Sequence, residues 1–306
     1  MSASFASALN AARDAAAAQH YPQGALYIVA TPIGNLADIT LRALHVLQLA
    51  DTIACEDTRH TQSLLRAYGV DKTSSQLLAV HQHNEAEASQ AVIERLRAGQ
   101  RVAYASDAGT PGVSDPGARL VTAVHAAGLR AVPLPGASSV TAALSAAGAV
   151  AIDAEGFVFA GFLPTKSGER SVAVQKLSTE SRCVILLEAP HRIAELAQTL
   201  AILGDRQVTL AREITKQFEE IATVAAHALS AWLAEGPQRT RGEFVVLLHP
   251  QMAQHDDGDS LRILKLLMQE LPLKTAVRLA AEITGASRNT LYESALAWKQ
   301  ENGSAN

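Results

Sequence analysis

Along most of this chain, short apolar runs that end in glycine-, proline- or charge-rich loops alternate with stretches of helical period. Residues 26–30, 52–55, 77–80, 102–105 and 131–134 are apolar at nearly every position, while 39–49, 85–98, 117–127 and 139–147 repeat apolar side chains at helical spacing. A strand that is apolar on both faces needs cover on both faces, and intervening helices supply it. The pattern therefore predicts a mostly parallel sheet in an α/β fold.

A small-residue stretch at 146–156 breaks the alternation, and a second α/β unit follows, with strands expected at 157–162, 183–187, 208–211 and 244–248 and helices at 193–203 and 228–234. The polar segment 251–260, with Asp256, Asp257, Gly258 and Asp259, suits a linker. Helices expected at 260–270, 274–283 and 287–299, with Thr284, Gly285 and Ala286 as a turn, give a helix-turn-helix outline. The expected organisation is a flexible leader at 1–24, α/β domains at 25–150 and 151–250, and a helical module at 259–300.

Composition narrows the function. No apolar run approaches the length that crosses a bilayer, so a soluble protein with no membrane partner is expected. The leader lacks a basic start and a continuous apolar core, unlike a secretory signal. Cys55 and Cys183 lie far apart, which suggests neither a disulfide framework nor a clustered metal site and fits a reducing cytoplasm. A net charge of -4 argues against coating nucleic acid by bulk electrostatics, while leaving room for a local basic face.

Three loops follow strands and are built to meet a ligand: ATPIGNL at 30–36, SDAGTPGVSDPG at 106–117 and LPGASS at 134–139. Ligands of open α/β sheets bind beyond the carboxyl ends of strands, where glycine lets backbone approach closely and a helix start offers free amides. Asp107 and Asp115 are acceptors for an ammonium or a hydroxyl. The plainer reading is a turn in which Asp115 or Ser114 caps the next helix, with Ser138 capping another. None of the loops contains GxGxxG or GxxxxGK[ST], so a cofactor without a phosphate cradle fits better than a nicotinamide or a nucleoside triphosphate.

Ionisable clusters follow three other strands. Glu56, Asp57, Thr58, Arg59, His60 and Thr61 suggest substrate contact, or a helix start capped by Asp57 or Thr58. Glu188, His191 and Arg192 form the second and Arg212, Glu213 and Lys216 the third; both suggest an anionic partner, or surface ion pairs. His81 and His83 have no third ligand at metal spacing, and no Gly-x-Ser-x-Gly elbow is present.

These motifs, read in order as LYIVATPIGNLADITLRAL, EDTRHT, SDAGTPGVSDPG, PLPGASSVTAALSAAG, FVFAGFLP, EAPHRI, REITKQFEE and RGEFVVLL, resemble the small-subunit ribosomal RNA 2'-O-methyltransferase I family, a branch of the tetrapyrrole methylase superfamily. The resemblance implies two α/β domains with S-adenosylmethionine between them, a homodimer, and a target cytidine 2'-hydroxyl in the decoding region of 16S ribosomal RNA within the 30S subunit. Cofactor contacts carry over to Ile33, Thr110, Val113, Ser138, Ser139, Leu187 and the Gly242 region, with Asp107 beside them. Superfamily members that modify tetrapyrroles usually read Gly-Asp-Pro where this chain has Gly109, Thr110 and Pro111, so contacts made by that Asp do not transfer. For such a reaction Glu56 or Asp57 is the expected proton acceptor and Lys216 or Arg59 the expected alkoxide stabiliser. Arg59, His60, His191, Arg192 and Arg212 are the expected RNA contacts. A tetrapyrrole methyltransferase and a non-catalytic RNA-binding protein are the rival readings.

Overall fold

The computed structural model describes residues 5–81, 83–149, 156–251 and 257–303. Its elements run α1 (Ala6–Ala16), β1 (Ala25–Val29), α2 (Leu41–Leu49), β2 (Thr52–Cys55), α3 (Thr58–Tyr68), β3 (Leu77–Ala79), α4 (Glu85–Arg97), β4 (Val102–Ala105), α5 (Gly117–Ala126), β5 (Arg130–Leu134) and α6 (Ser139–Ala147). They continue with β6 (Phe157–Phe162), α7 (Ser167–Leu177), β7 (Cys183–Glu188), α8 (Ile193–Leu200), β8 (Gln207–Arg212), β9 (Glu220–Ala225), α9 (Leu229–Ala234), β10 (Phe244–Leu248), α10 (Asp257–Glu270), α11 (Leu273–Thr284) and α12 (Arg288–Gly303). Residues 150–155 of the expected boundary and 252–256 of the expected linker lie outside the described residues, and 257–260 are the start of α10 in place of the expected linker.

The first sheet has the order β3-β2-β4-β1-β5, and every pairing in it is parallel. Alternate residues of its strands feed two cores. Tyr27, Val29, Ile53 and Ala103 pack towards α2 and α3, while Leu26, Ala54, Val102 and Tyr104 pack towards α4 and α5. This two-sided burial is what the unbroken apolar runs required.

The second sheet, β6-β7-β10-β8-β9, departs from the parallel expectation. Only β6 and β7 pair in parallel; β7-β10, β10-β8 and β8-β9 are antiparallel. The reason is the short connection at 213–219, which joins β8 and β9 as a hairpin and leaves no length for a helical crossover. One face of this sheet packs on α8 and α9; the other, through Cys183, Ile185, Ala211, Val245 and Leu247, packs on Val140 and Ala143 of α6. The last helix of the first unit thus covers the second sheet, and the carboxyl ends of the first sheet's strands meet the carboxyl ends of β6 and β7 and the amino end of β10 at one cleft.

The leader also differs from expectation. Residues 6–16 form α1, with Ala12 and Ala16 buried in the same core as Leu44 and Leu47 of α2. Its alanines present little side-chain entropy to lose and a flat surface to a neighbouring helix, so an apparently featureless stretch packs. Helices α10, α11 and α12 enclose a core of their own around Leu264, Val277 and Leu291. Among the described residues no helix is long and apolar enough to cross a membrane.

Candidate active site

A cavity of about 420 Å3 lies where the two sheets meet. Three loops of the first sheet form one side, and they are stitched together. Thr31 and Gly109 exchange backbone hydrogen bonds at 3.0 Å, and the Thr110 hydroxyl donates to the Ala137 carbonyl at 2.9 Å. Gly109 has φ +81°, a conformation open to glycine, and a Cβ on Gly136 would stand 2.7 Å from that of Ala30. The two glycines therefore let the three loops pack closer than side chains would allow.

Asp115 is the scaffold of the central loop. Its carboxylate accepts from the amides of Gly112 and Gly117, both at 2.7 Å, and from the buried Tyr104 hydroxyl at 3.2 Å. By contrast Ser138 makes no capping bond to α6, so its hydroxyl and the first amides of that helix are left for a ligand.

Ile33, Thr110, Val113, Ser138, Ser139 and Leu187 all line the cavity. Asp107 and Gly242 do not. Asp107 accepts from the Asp57 amide at 3.3 Å and faces a neighbouring groove. Gly242, at φ +87°, lets Glu213 pass where a Cβ would be 2.4 Å from the Glu213 Cγ, and its neighbour Glu243 does reach the cavity. Sequence reasoning missed Phe162, Ile214, Glu243, Phe244 and Val245; these apolar or strand-end positions carry no loop signature.

Among the described residues the lining holds no Lys, Arg or His; of its acids, Glu56 and Asp115 are joined by Glu243, whose carboxylate pairs with Lys216 of the adjoining groove, while the Glu188 carboxylate turns away to Arg192. Burial, followed by the nearby charges of Asp107 and Asp115, raises the Glu56 carboxyl above the ordinary glutamate value. A carboxyl so placed takes up protons more readily than a free one.

Other residues expected at the site are engaged elsewhere. Asp57 caps α3, accepting from the Arg59 amide at 2.8 Å and pairing with the Arg59 guanidinium at 2.9 Å; these bonds pull its carboxyl down to about 2 and make it a weak base. Arg192 is mostly buried, 3.1 Å from Glu188 and donating to the Leu163 carbonyl at 2.6 Å. Arg212 is also buried, donating to the Phe218 carbonyl at 2.9 Å beside Glu220. Alternation along β7 explains the first case: Leu187 faces the cavity, so the Glu188 side chain lies on the opposite face with Arg192. Neither arginine is available to RNA, whereas Arg59, His60 and His191 are exposed.

Lys216 stands in the adjoining groove, not in the cavity, with its ammonium 2.8 Å from both Glu213 and Glu243. Its stem crosses Gly34 of the first loop so closely that a Cβ there would be 2.4 Å from the Lys216 Cγ. The flanking Glu213 and Thr215 hold φ of +51° and +69°, unusual for residues with side chains and most costly for β-branched Thr215. The triad of Glu213, Lys216 and Glu243 fixes this strained turn against the first unit.

Residues 25–230 match the family model Tetrapyrrole (Corrin/Porphyrin) Methylases, and residues 254–299 match the RsmI C-terminal HTH domain. The chain is 48% identical over 278 residues to a ribosomal RNA small subunit methyltransferase I of Escherichia coli O157:H7, across 90% of this chain and 95% of that protein. Two solved structures share its fold. A cobalamin biosynthetic enzyme, cobalt precorrin-4 methyltransferase, has a TM-score of 0.55 at 19% identity over 75% of this chain and 98% of its own. A uroporphyrin-III C-methyl transferase from Thermus thermophilus, complexed with S-adenyl homocysteine, has a TM-score of 0.50 at 17% identity over 72% of this chain and 96% of its own. The chain belongs to the tetrapyrrole methylase family, in its ribosomal RNA small subunit methyltransferase I branch.

Proposed function

We propose that the protein transfers a methyl group from S-adenosylmethionine to the ribose 2'-hydroxyl of a cytidine in the decoding region of 16S ribosomal RNA, acting on the 30S subunit in the cytoplasm as a homodimer. The observation that carries the cofactor assignment is the charge of the cavity. Among the described residues the wall carries the carboxyls of Glu56 and Asp115 and no cationic side chain, which favours a sulfonium ligand bearing an amino group and gives a phosphate no counter-charge. The free amides at the start of α6 suit the carboxylate at the other end of that ligand. The ribosomal target rests on kinship with the small-subunit methyltransferase I relatives.

Ile33, Thr110, Val113, Ser138, Ser139 and Leu187 would hold the cofactor, with backbone near Gly242 closing the far side. When bound, S-adenosylmethionine supplies an electrophilic methyl group. Glu56 accepts the proton of the attacking hydroxyl, which its raised affinity for protons favours. Lys216 positions the strained turn against the first loop. Arg59, His60 and His191 meet the RNA at the rim, and the helical module adds a docking surface.

Purified protein with methyl-labelled S-adenosylmethionine, offered 30S subunits, free 16S RNA or a porphyrinoid, tests this reading. Label in ribosomal RNA is expected. Label only in the porphyrinoid, or in none of the three, would contradict it.

A further inference from the structure

We infer that the groove beside the main cavity receives the target nucleoside, its base lying on one face of α3. The inference rests on the methyltransferase reading above and adds where the acceptor sits. The groove encloses about 410 Å3, within the range of small-molecule sites, and Ile33, Ala108 and Glu243 line both it and the main cavity. The two spaces therefore adjoin at those three residues, the proximity that a transfer between their ligands requires.

The groove wall is chemically distinct. His60, Ser63, Leu64 and Ala67 stand at i, i+3, i+4 and i+7 on α3, forming a single helical face opposite Leu36. Leu36, Leu64 and Ala67 give apolar area of the kind on which an unstacked base rests, and His60 and Ser63 give polar edges beside it. Among the described residues the only Lys or Arg on the wall is Lys216, which is already paired with Glu213 and Glu243. Such a surface suits a base and sugar; a phosphate would remain outside.

Asp107 supplies a recognition group. One of its carboxylate oxygens accepts from the Asp57 amide at 3.3 Å, and the residue is part of the groove lining. An aspartate in this setting accepts from the exocyclic amine of cytosine. The same contact ties the groove to the chain segment carrying Glu56, so base recognition and the proton acceptor lie on two loops joined by that bond.

Ser63 and Ala67 are exposed, so Ser63→Trp and Ala67→Trp fill the groove without entering the core. Each is expected to lower methyl transfer to 30S subunits roughly 100-fold while leaving the Kd for S-adenosylmethionine, read by calorimetry, within about twofold. Wild-type transfer by both tryptophan variants would overturn the inference. Loss of cofactor binding along with transfer would overturn it too, assigning the groove to the cofactor. A wild-type protein that binds S-adenosylmethionine yet labels no ribosomal RNA would defeat the underlying methyltransferase reading, and the groove assignment with it.

Discussion

The ionisable clusters after β2 and after β7 and β8 look alike in sequence but differ in the folded protein. After β7 and β8 the charges stand beside opposite charges: Arg192 with Glu188, Arg212 beside Glu220, Lys216 with Glu213 and Glu243. After β2, Asp57 and Arg59 pair, and Glu56 faces the cavity with only like charges near. A cluster whose charges cancel builds a wall; a carboxyl crowded by other carboxyls is poised to take a proton.

Substitutions at the two kinds of cluster sharpen that contrast. Glu56→Gln has the largest expected effect, a fall in kcat of about 100-fold or more with S-adenosylmethionine affinity little changed, measured by labelled transfer and calorimetry. Because folding raises the Glu56 value, the native protein keeps this proton to higher pH than the unfolded chain does. Wild-type activity should therefore decline on the acid side from a higher pH than an ordinary glutamate gives, and the Gln variant should lack that limb. By the same sign, ionised Glu56 weakens the fold as pH rises through its raised value, so Glu56→Gln should leave the neutral-pH Tm equal or higher. A wild-type pH profile in the Gln variant would break the contrast.

Arg192→Met should act on stability, costing about 3 kcal/mol in urea unfolding by leaving the Glu188 carboxylate buried without its partner. Tyr104→Phe removes one bond to the Asp115 scaffold and should weaken cofactor binding by about 1 kcal/mol, a several-fold rise in Kd. Asp57→Asn should do least, a small drop in Tm with chemistry intact, because Asn still caps α3. A large loss of kcat there would return Asp57 to the chemistry.

The first sheet was legible because parallel strands buried on both faces leave an unmistakable apolar run, and its loops because glycine and proline mark where backbone meets ligand. The hairpin was not: β9 reads Glu-Ile-Ala-Thr-Val-Ala, half-buried at an edge, with neither strict alternation nor a continuous apolar run. The Phe162 and Val245 walls were hidden for a related reason, since apolar strand residues look the same whether they face a core or a cavity. Pairing of charges was beyond reach as well. Whether Arg192 meets RNA or Glu188 depends on which face of β7 the side chains take, and that is fixed only when the sheet packs.

The role proposed for the acid-lined cavity is methyl transfer to a ribose. Nuclease digestion and mass spectrometry of 16S RNA, from 30S subunits incubated with the protein and labelled S-adenosylmethionine, test it most directly. The account predicts label in a 2'-O-methylcytidine from the decoding region with wild-type protein and a strongly reduced amount with Glu56→Gln. Label on a base, or equal labelling by the two proteins, would contradict it.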